Sequence, residues 1–492
     1  MKKFAQLAAI IGLFSSCWGN AAADDRPNIV FAIADDWGWP HASIYENDEV
    51  CQTPNFDVIA RNGLLFHHAY ISSPSCTPSR NAILTGQFHW RLGSGGNLWS
   101  TLDTKHKTYP NLLEDAGYHV GSWRKSWGPG KLDNWDRHPA GTPFKNPDDF
   151  LKNWDKSKPF CFWLGASDPH RGYKLNSGAE SGMDLDKIQL FEHYPDSPEI
   201  RGDVADYYFE VQRFDRDVGD FLAKLKELGA LENTIVVMTG DHGMPFPRCK
   251  SNLYDSGARV PLAIQWPKGI AKPGRQIQDF VSTTDFGPTF LAAAGVSAPE
   301  AMTGVGLAPI FASENSGQVV AERDHVLTGK ERHVMAQEAP DTGGTPMRAI
   351  RNHDFLMIRN YRTDRWPAGT PHAEKATVPG AWLADCDNGP TKTYIVDNRD
   401  RDDEHRLKYD LSFGKRPEFE LYNLEDDPGQ MRNVAGNPEY AEVLKALSAQ
   451  LTDELTATDD PRALGKGDEV FDPVPYLGGV PKKPGFVRKK KK

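Results

Sequence analysis

Asn28-Ile29-Val30-Phe31-Ala32-Ile33-Ala34-Asp35-Asp36 is the stretch on which the fold reading turns. From Ile29 to Ala34 no polar residue interrupts the run. A strand with one wet face would alternate; this one is apolar on both, as in a parallel sheet covered by helices. It ends in two adjacent carboxylates. Open α/β sheets place their sites outside the C-terminal ends of the strands, although an Asp-rich turn would read the same way.

Other stretches repeat the design. Pro159-Phe160-Cys161-Phe162-Trp163-Leu164-Gly165 runs into Ser167-Asp168-Pro169-His170-Arg171. Thr234-Ile235-Val236-Val237-Met238-Thr239 ends at Gly240-Asp241-His242-Gly243, with Lys250 in the loop beyond. The short strand His119-Val120-Gly121 leads into a loop with Lys125, Trp127 and Gly128-Pro129-Gly130, and Arg259 to Ile264 reads as a further strand. Residues 131–158 are polar and poorly patterned, as in a surface excursion.

Helices separate the strands. Thr53-Pro54 places an N-cap before an N1 proline, and Gly63 closes that helix. Tyr109 to Ala116 reads as helical. Val211, Phe214, Val218, Phe221, Leu225 and Leu228 recur at steps of three and four up to Gly229. Asp285, at the start of a helix, reads as structural.

A small-residue helix pattern follows Ser75-Cys76-Thr77-Pro78-Ser79-Arg80, which puts Cys76 near a helix N-terminus. Backbone N–H groups and the helix dipole favour negative charge there, and Arg80 reinforces that field. Cys76 reads either as an activated thiol or as a half-buried free one.

The fold class is therefore α/β: a large, mostly parallel mixed sheet flanked by helices, over residues 24–345. From about 346 to 480 the pattern becomes a small antiparallel sheet with one helix. Asn352-His353-Asp354 marks a hairpin, Phe419 to Leu424 a strand, and Tyr440, Leu444, Leu447, Leu451 and Leu455 a helix. Residues 481–492 read as a basic, disordered tail. Residues 1–23 read as an export signal, from Lys2-Lys3 through Leu7–Phe14 to Ala21-Ala22-Ala23, which implies a periplasmic or secreted protein. Cys17 offers an alternative as a lipid-anchor site. Without the leader, Cys51, Cys76, Cys161, Cys249 and Cys386 remain, an odd and widely spaced set unlike a disulfide framework. The net charge of −10 excludes general nucleic-acid binding, and no later segment is apolar for long enough to span a membrane.

The strand ends bring Asp35, Asp36, His170, Asp241 and His242 to one edge, with Cys76, Arg80, Lys125 and Lys250 on neighbouring loops. Three carboxylates and a histidine suit a hard divalent cation. The surplus positive groups then call for a tetrahedral oxyanion such as sulfate or phosphate.

These motifs resemble the type I sulfatases of the alkaline phosphatase superfamily. The signature is Cys-x-Pro-x-Arg at Cys76–Arg80, continued by Leu84-Thr85-Gly86. Pro27-Asn28-Ile29-Val30, Thr53-Pro54-Asn55-Phe56-Asp57, Pro169-His170, Gly240-Asp241-His242-Gly243, Arg259-Val260-Pro261 and Glu420 to Leu424 with Asp427-Pro428 support it. Gly128-Pro129-Gly130, Pro169-His170-Arg171 and Asp460 to Gly465 resemble the heparan N-sulfatase (sulfamidase) branch and its bacterial relatives.

The resemblance implies that a separate formylglycine-generating or sulfatase-maturating enzyme oxidises Cys76 to formylglycine (3-oxoalanine). Asp35, Asp36, Asp241 and His242, together with the modified residue 76, would bind Ca²⁺. Arg80 would stabilise the hydrated aldehyde, Lys125 and Lys250 would hold sulfate oxygens, and His170 would meet the leaving group. The implied substrate is a sulfated saccharide of glycosaminoglycan type. Two departures stand out. Trp127 occupies the place of a family histidine, and His242 stands where many relatives have Asn, which leaves Mn²⁺ and Mg²⁺ open. A phosphomonoester or phosphodiester hydrolase of the same superfamily, and a carbohydrate-binding relative without catalysis, are the alternative readings.

Overall fold

The computed structural model describes residues 25–486. The leader, Cys17 and the tail from Arg488 lie outside the described residues.

The strands of the main sheet are β1 (Asn28–Ala34), β2 (Leu64–Tyr70), β3 (His119–Trp123), β4 (Phe160–Gly165), β5 (Thr234–Gly240), β6 (Leu262–Gln265) and β7 (Arg275–Ser282). Among the described residues their order is β7-β2-β6-β5-β1-β4-β3, with Thr142–Pro143 at the far edge. β1 is central and parallel to both neighbours, with Phe31 level with Trp163 and Val237. β6 alone runs antiparallel to the strands beside it, so the sheet is mixed but mostly parallel.

The apolar run of β1 divides between two cores. Val30, Ala32 and Ala34 meet Val211, Phe214 and Val218 of the long helix Pro198–Glu227. Ile29, Phe31 and Ile33 meet Leu113 of the helix Tyr109–Asp115, and Phe286 and Phe290 of the helix Phe286–Ala293. Both faces are dry, which is why the run does not alternate.

The long helix begins earlier than its heptad-like repeat suggests. Ser197 caps it by accepting from the Ile200 N–H, and Ile200, Val204 and Tyr207 extend its buried stripe towards the N-terminus. It ends just before Gly229, whose φ of 68° is the left-handed conformation glycine adopts freely. Gly63 has a different reason. Its helix already ends at Arg61, and a Cβ at Gly63 would lie 2.0 Å from the carbonyl oxygen of Ile264. Glycine there lets β6 approach. Thr53 holds the N-cap position without capping; its hydroxyl accepts from the Ser43 N–H instead.

The surface excursion expected at 131–158 is built into the fold. Gly130–Lys131 pairs with Ser100–Thr101, and Thr142–Pro143 pairs with the edge of the main sheet at β3. The helix Pro147–Asn153 sends Phe150 inward to stack on Phe162 at 4.1 Å. One buried aromatic in a polar segment leaves no periodic trace.

The smaller sheet is antiparallel: β8 (His325–Lys330), β9 (Met347–Asn352), β10 (Phe355–Asn360) and β11 (Phe419–Asn423). Its first strand precedes residue 346. The helix Ala441–Ala457 packs on it through Leu447, Leu451 and Leu455. Residues 481–486 are also tied down, since Lys482 bridges Ala381 and the Lys483 N–H donates to Gly380. Disorder from residue 481 therefore does not describe this part of the tail. Five cysteines, all buried, are free among the described residues.

Candidate active site

The ends of β1 and β5 are locked together. The Asp241 N–H donates to the Ala34 carbonyl at 3.1 Å, and the Asp36 N–H donates to Asp241 Oδ1 at 2.9 Å. Asp36 takes a left-handed φ of 72° to make that turn. The Asp35 N–H donates to the carbonyl of Asp168, beyond β4, at 3.0 Å. Three strand ends are thus tied by backbone before any side chain is counted.

Cys76 is the first residue of the helix Cys76–Thr85 and is 2% exposed. Its Sγ lies 3.3 Å from His242 Nε2 and 3.6 Å from Asp35 Oδ1. Ser75, at the N-cap, does not cap. Its hydroxyl lies 2.7 Å from His333 Nδ1, which leaves the first-turn N–H groups facing the site. Burial pushes the Cys76 thiol well above its ordinary pKa; Lys125 opposes the shift and Asp35 adds to it. An activated thiolate is therefore not what this pocket favours.

Arg80 is fully buried. It donates through Nε to Asp241 Oδ2 at 2.8 Å and through Nη1 to the Lys125 carbonyl, while Nη2 lies 3.6 Å from Asp35 Oδ1. Lys125 Nζ bonds both oxygens of Asp35, at 2.6 and 2.5 Å. Lys250 Nζ joins Asp36 at 2.9 Å to Asp387 at 3.0 Å. Burial is the largest single influence on the Lys125 ammonium and pushes its pKa down, but Asp35, Cys76 and Asp241 together outweigh it and hold the pKa up. Burial likewise penalises the Asp241 carboxylate, yet His242, Arg80 and Lys125 hold it below its ordinary value.

One ligand atom from each of Asp35, Cys76, Asp241 and His242 lies within 4.8 Å of the others. Asp36 Oδ1 is 3.2 Å from His242 Nε2 and is buried without a hydrogen-bond partner. Such an orphaned carboxylate oxygen, in a set of carboxylates and an imidazole, fits a divalent cation. His170 sits at the rim, half-buried, grouped with Asp36 and Asp387.

All nine predicted site residues meet here. Trp127 does not reach towards Cys76; its Nε1–H donates to Asn81 Oδ1 at 2.7 Å. Three residues escaped the sequence reading. Asp385 and Asp387 flank a buried cysteine in an irregular loop, and His333 follows β8 in a turn. No periodicity marks any of them. Arg362-Thr363-Asp364-Arg365-Trp366, read as either a sugar contact or a surface turn, is committed internally. Arg365 is buried between Asp341 and Asp472, and Arg362 pairs with Asp364.

Comparison with known proteins agrees with this geometry. The Sulfatase family model matches residues 27–296, and the model for the N-sulphoglucosamine sulphohydrolase C-terminal region matches residues 240–366. N-sulphoglucosamine sulphohydrolase of Homo sapiens is 28% identical over 488 residues, covering 89% of this chain and 91% of the relative. An N-acetylglucosamine-6-O-sulfatase of Bacteroides thetaiotaomicron is 25% identical, with 90% of each chain covered. A protein solved in complex with its substrate D-glucosamine-2-N,6-O-disulfate shares the fold with a TM-score of 0.61 at 23% identity, covering 88% of this chain and 98% of that one. The family match spans more than half of the chain and takes in every strand-end residue described above, and on that ground the chain belongs to the sulfatase family.

Proposed function

We propose that this protein is an exported sulfatase that removes sulfate from glycosaminoglycan-type saccharides, with heparan-like N- or O-sulfated sugars as its substrate class. The observation that carries the reading is the meeting of Cys76 with three carboxylates, His242, the buried Arg80 and Lys250, and the half-buried Lys125 at the edge of one sheet. The human and Bacteroides relatives named above act on N-sulphated glucosamine and on N-acetylglucosamine 6-O-sulfate by their names, which supports the sugar class. Among the described residues no helix is long and apolar enough to cross a membrane.

Asp35, Asp36, Asp241 and His242 would hold the cation, Ca²⁺ in the first instance, which supplies positive charge for sulfate oxygens. Residue 76, as formylglycine, would supply the hydroxyl nucleophile for sulfur and a second hydroxyl group through which sulfate could be released. The remaining work falls to the chain's own side chains. Arg80, fixed by Asp241, keeps a buried positive charge beside residue 76. Lys125 and Lys250 sit on Asp35 and Asp36, from where their N–H donors would serve sulfate oxygens. His170, grouped at the rim with Asp36 and Asp387, would give a proton to the leaving oxygen or nitrogen.

The test is mass spectrometry of the peptide bearing residue 76, from protein made in a host with a maturation enzyme. It is followed by turnover of N- and O-sulfated saccharides against matched phosphate esters. Formylglycine and a preference for sulfate are expected. An unmodified Cys76 in active protein, or faster phosphate turnover, overturns the reading.

A further inference from the structure

Asp387 stands apart from the rest of the site. It lies beyond both matched regions, in the loop Trp382–Asn388, yet its Oδ2 is 3.0 Å from Lys250 Nζ. The fold spends much on holding it there. Asp385, two residues earlier, accepts from Ser251, Lys330 and the Val334 N–H. Leu383, fully buried, sits at a φ of 43°, a conformation that persists in a leucine only when its surroundings enforce it.

Lys392 enforces it. Its ammonium is buried inside the loop and donates to the carbonyls of Trp382 and Leu383 at 3.0 Å, and to the Cys386 carbonyl and Asn388 Oδ1 at 2.9 Å. Among the described residues no carboxylate pairs with it. It also lies in the first turn of the helix Pro390–Asp397, where the dipole disfavours a cation. A buried cation in that position, with no carboxylate partner and its ammonium 4.7 Å from the Trp382 ring centre, is explained by the loop it gathers.

A charge count shows what the loop delivers. Asp35, Asp36 and Asp241 balance Arg80, Lys125 and Lys250. Asp387 adds one further negative charge, so the cradle with a divalent cation carries one positive charge in excess. A sulfate ester or sulfamate is a monoanion; a phosphate monoester is largely a dianion at neutral pH. We infer that Asp387 is a specificity-determining residue that sets the cradle's charge to accept monoanionic sulfate esters and reject dianionic phosphate monoesters, with Lys392 as its positioning residue. The inference rests on the sulfatase reading and deepens it.

The test uses Ca²⁺-loaded, matured protein. For wild type, Asp387→Asn, Asp387→Glu and Lys392→Met, one measures kcat/KM for a sulfate ester and its matched phosphate monoester. Calorimetric affinities for methyl sulfate and methyl phosphate are measured alongside. Asp387→Asn should raise phosphate relative to sulfate by about tenfold or more in both readouts, from one fewer charge a few ångströms away. Asp387→Glu should keep the wild-type ratio, and Lys392→Met should shift it in the same direction as Asp387→Asn. A ratio that stays within about threefold of wild type overturns the inference. So does an equal fall for both esters, which would mark Asp387 as a sugar contact. If wild type turns over no sulfate ester, the sulfatase reading is what fails, and the two binding affinities still judge Asp387.

Discussion

Replacing Asp241 with Asn changes one atom and removes the joint between two strands. Oδ1 accepts from the Asp36 N–H and Oδ2 from Arg80 Nε. Both partners are donors, so an amide can satisfy only one, and its NH₂ must confront the other. The loss is one hydrogen bond to a charged group, about 1.5–3 kcal/mol. Arg80 is also left a carboxylate short inside a sealed pocket, and breaking a buried pair from one side costs about 3–5 kcal/mol in all. Because Arg80 keeps the Lys125 carbonyl and a nearby Asp35, the lower end, about 3 kcal/mol, is expected. Urea unfolding in the presence of a chelator measures this directly. Adding Ca²⁺ at a hundred times its dissociation constant should then stabilise wild type by about 2.7 kcal/mol, and the variant by clearly less. A loss under about 1 kcal/mol, with an unchanged Ca²⁺ response, would refute both the joint and the ligand assignment.

Other outcomes follow from other parts of the molecule. His325 is held between Asp324 at 2.6 Å and Glu454 at 2.9 Å. Burial lowers its pKa, but Glu454 and Asp324 outweigh burial and push it up to about 9. A raised pKa stabilises fully below about 6.5 and is lost as pH climbs through 9, so unfolding free energy should fall by about 1–2 kcal/mol across that window after allowing for exposed partners. His325→Gln should flatten that slope in denaturation curves. Phe31→Ala empties the space between Trp163, Phe286 and Phe290 and should cost about 3–5 kcal/mol in the same assay. Cys76→Ser should lower sulfate-ester turnover at least about a thousandfold with little change in the unfolding midpoint; a variant that keeps a tenth of wild-type turnover would place the nucleophile elsewhere.

The legible part of the chain is the part with a dry environment on both sides. β1, β4 and β5 could be found because nothing polar survives between two helix layers, and their polar ends then stood out as a set. Cys76 with Arg80, and Asp241 with His242, were visible for that reason. Asp385, Asp387 and His333 were not, because their positions depend on hydrogen bonds from distant segments such as Lys330, Lys250 and Ser75. Gly63 marks the boundary through its contact with β6 rather than by ending the helix, and such a contact leaves no local mark in the sequence. The same holds for β8: its partner strand begins seventeen residues after it ends, at Met347 following Lys330.

The seclusion of Cys76 also sets a schedule. Once the helix that begins at residue 76 has docked against the ends of β1 and β5, its side chain offers no surface on which another enzyme could work. On the reading proposed above, oxidation of that residue would have to happen while the segment is still unfolded, so that folding would act as the deadline for maturation. Protein that folds with an intact thiol is then beyond repair in place. Adding a maturation enzyme to the folded thiol form should restore nothing, whereas unfolding it, treating the open chain and refolding should recover turnover.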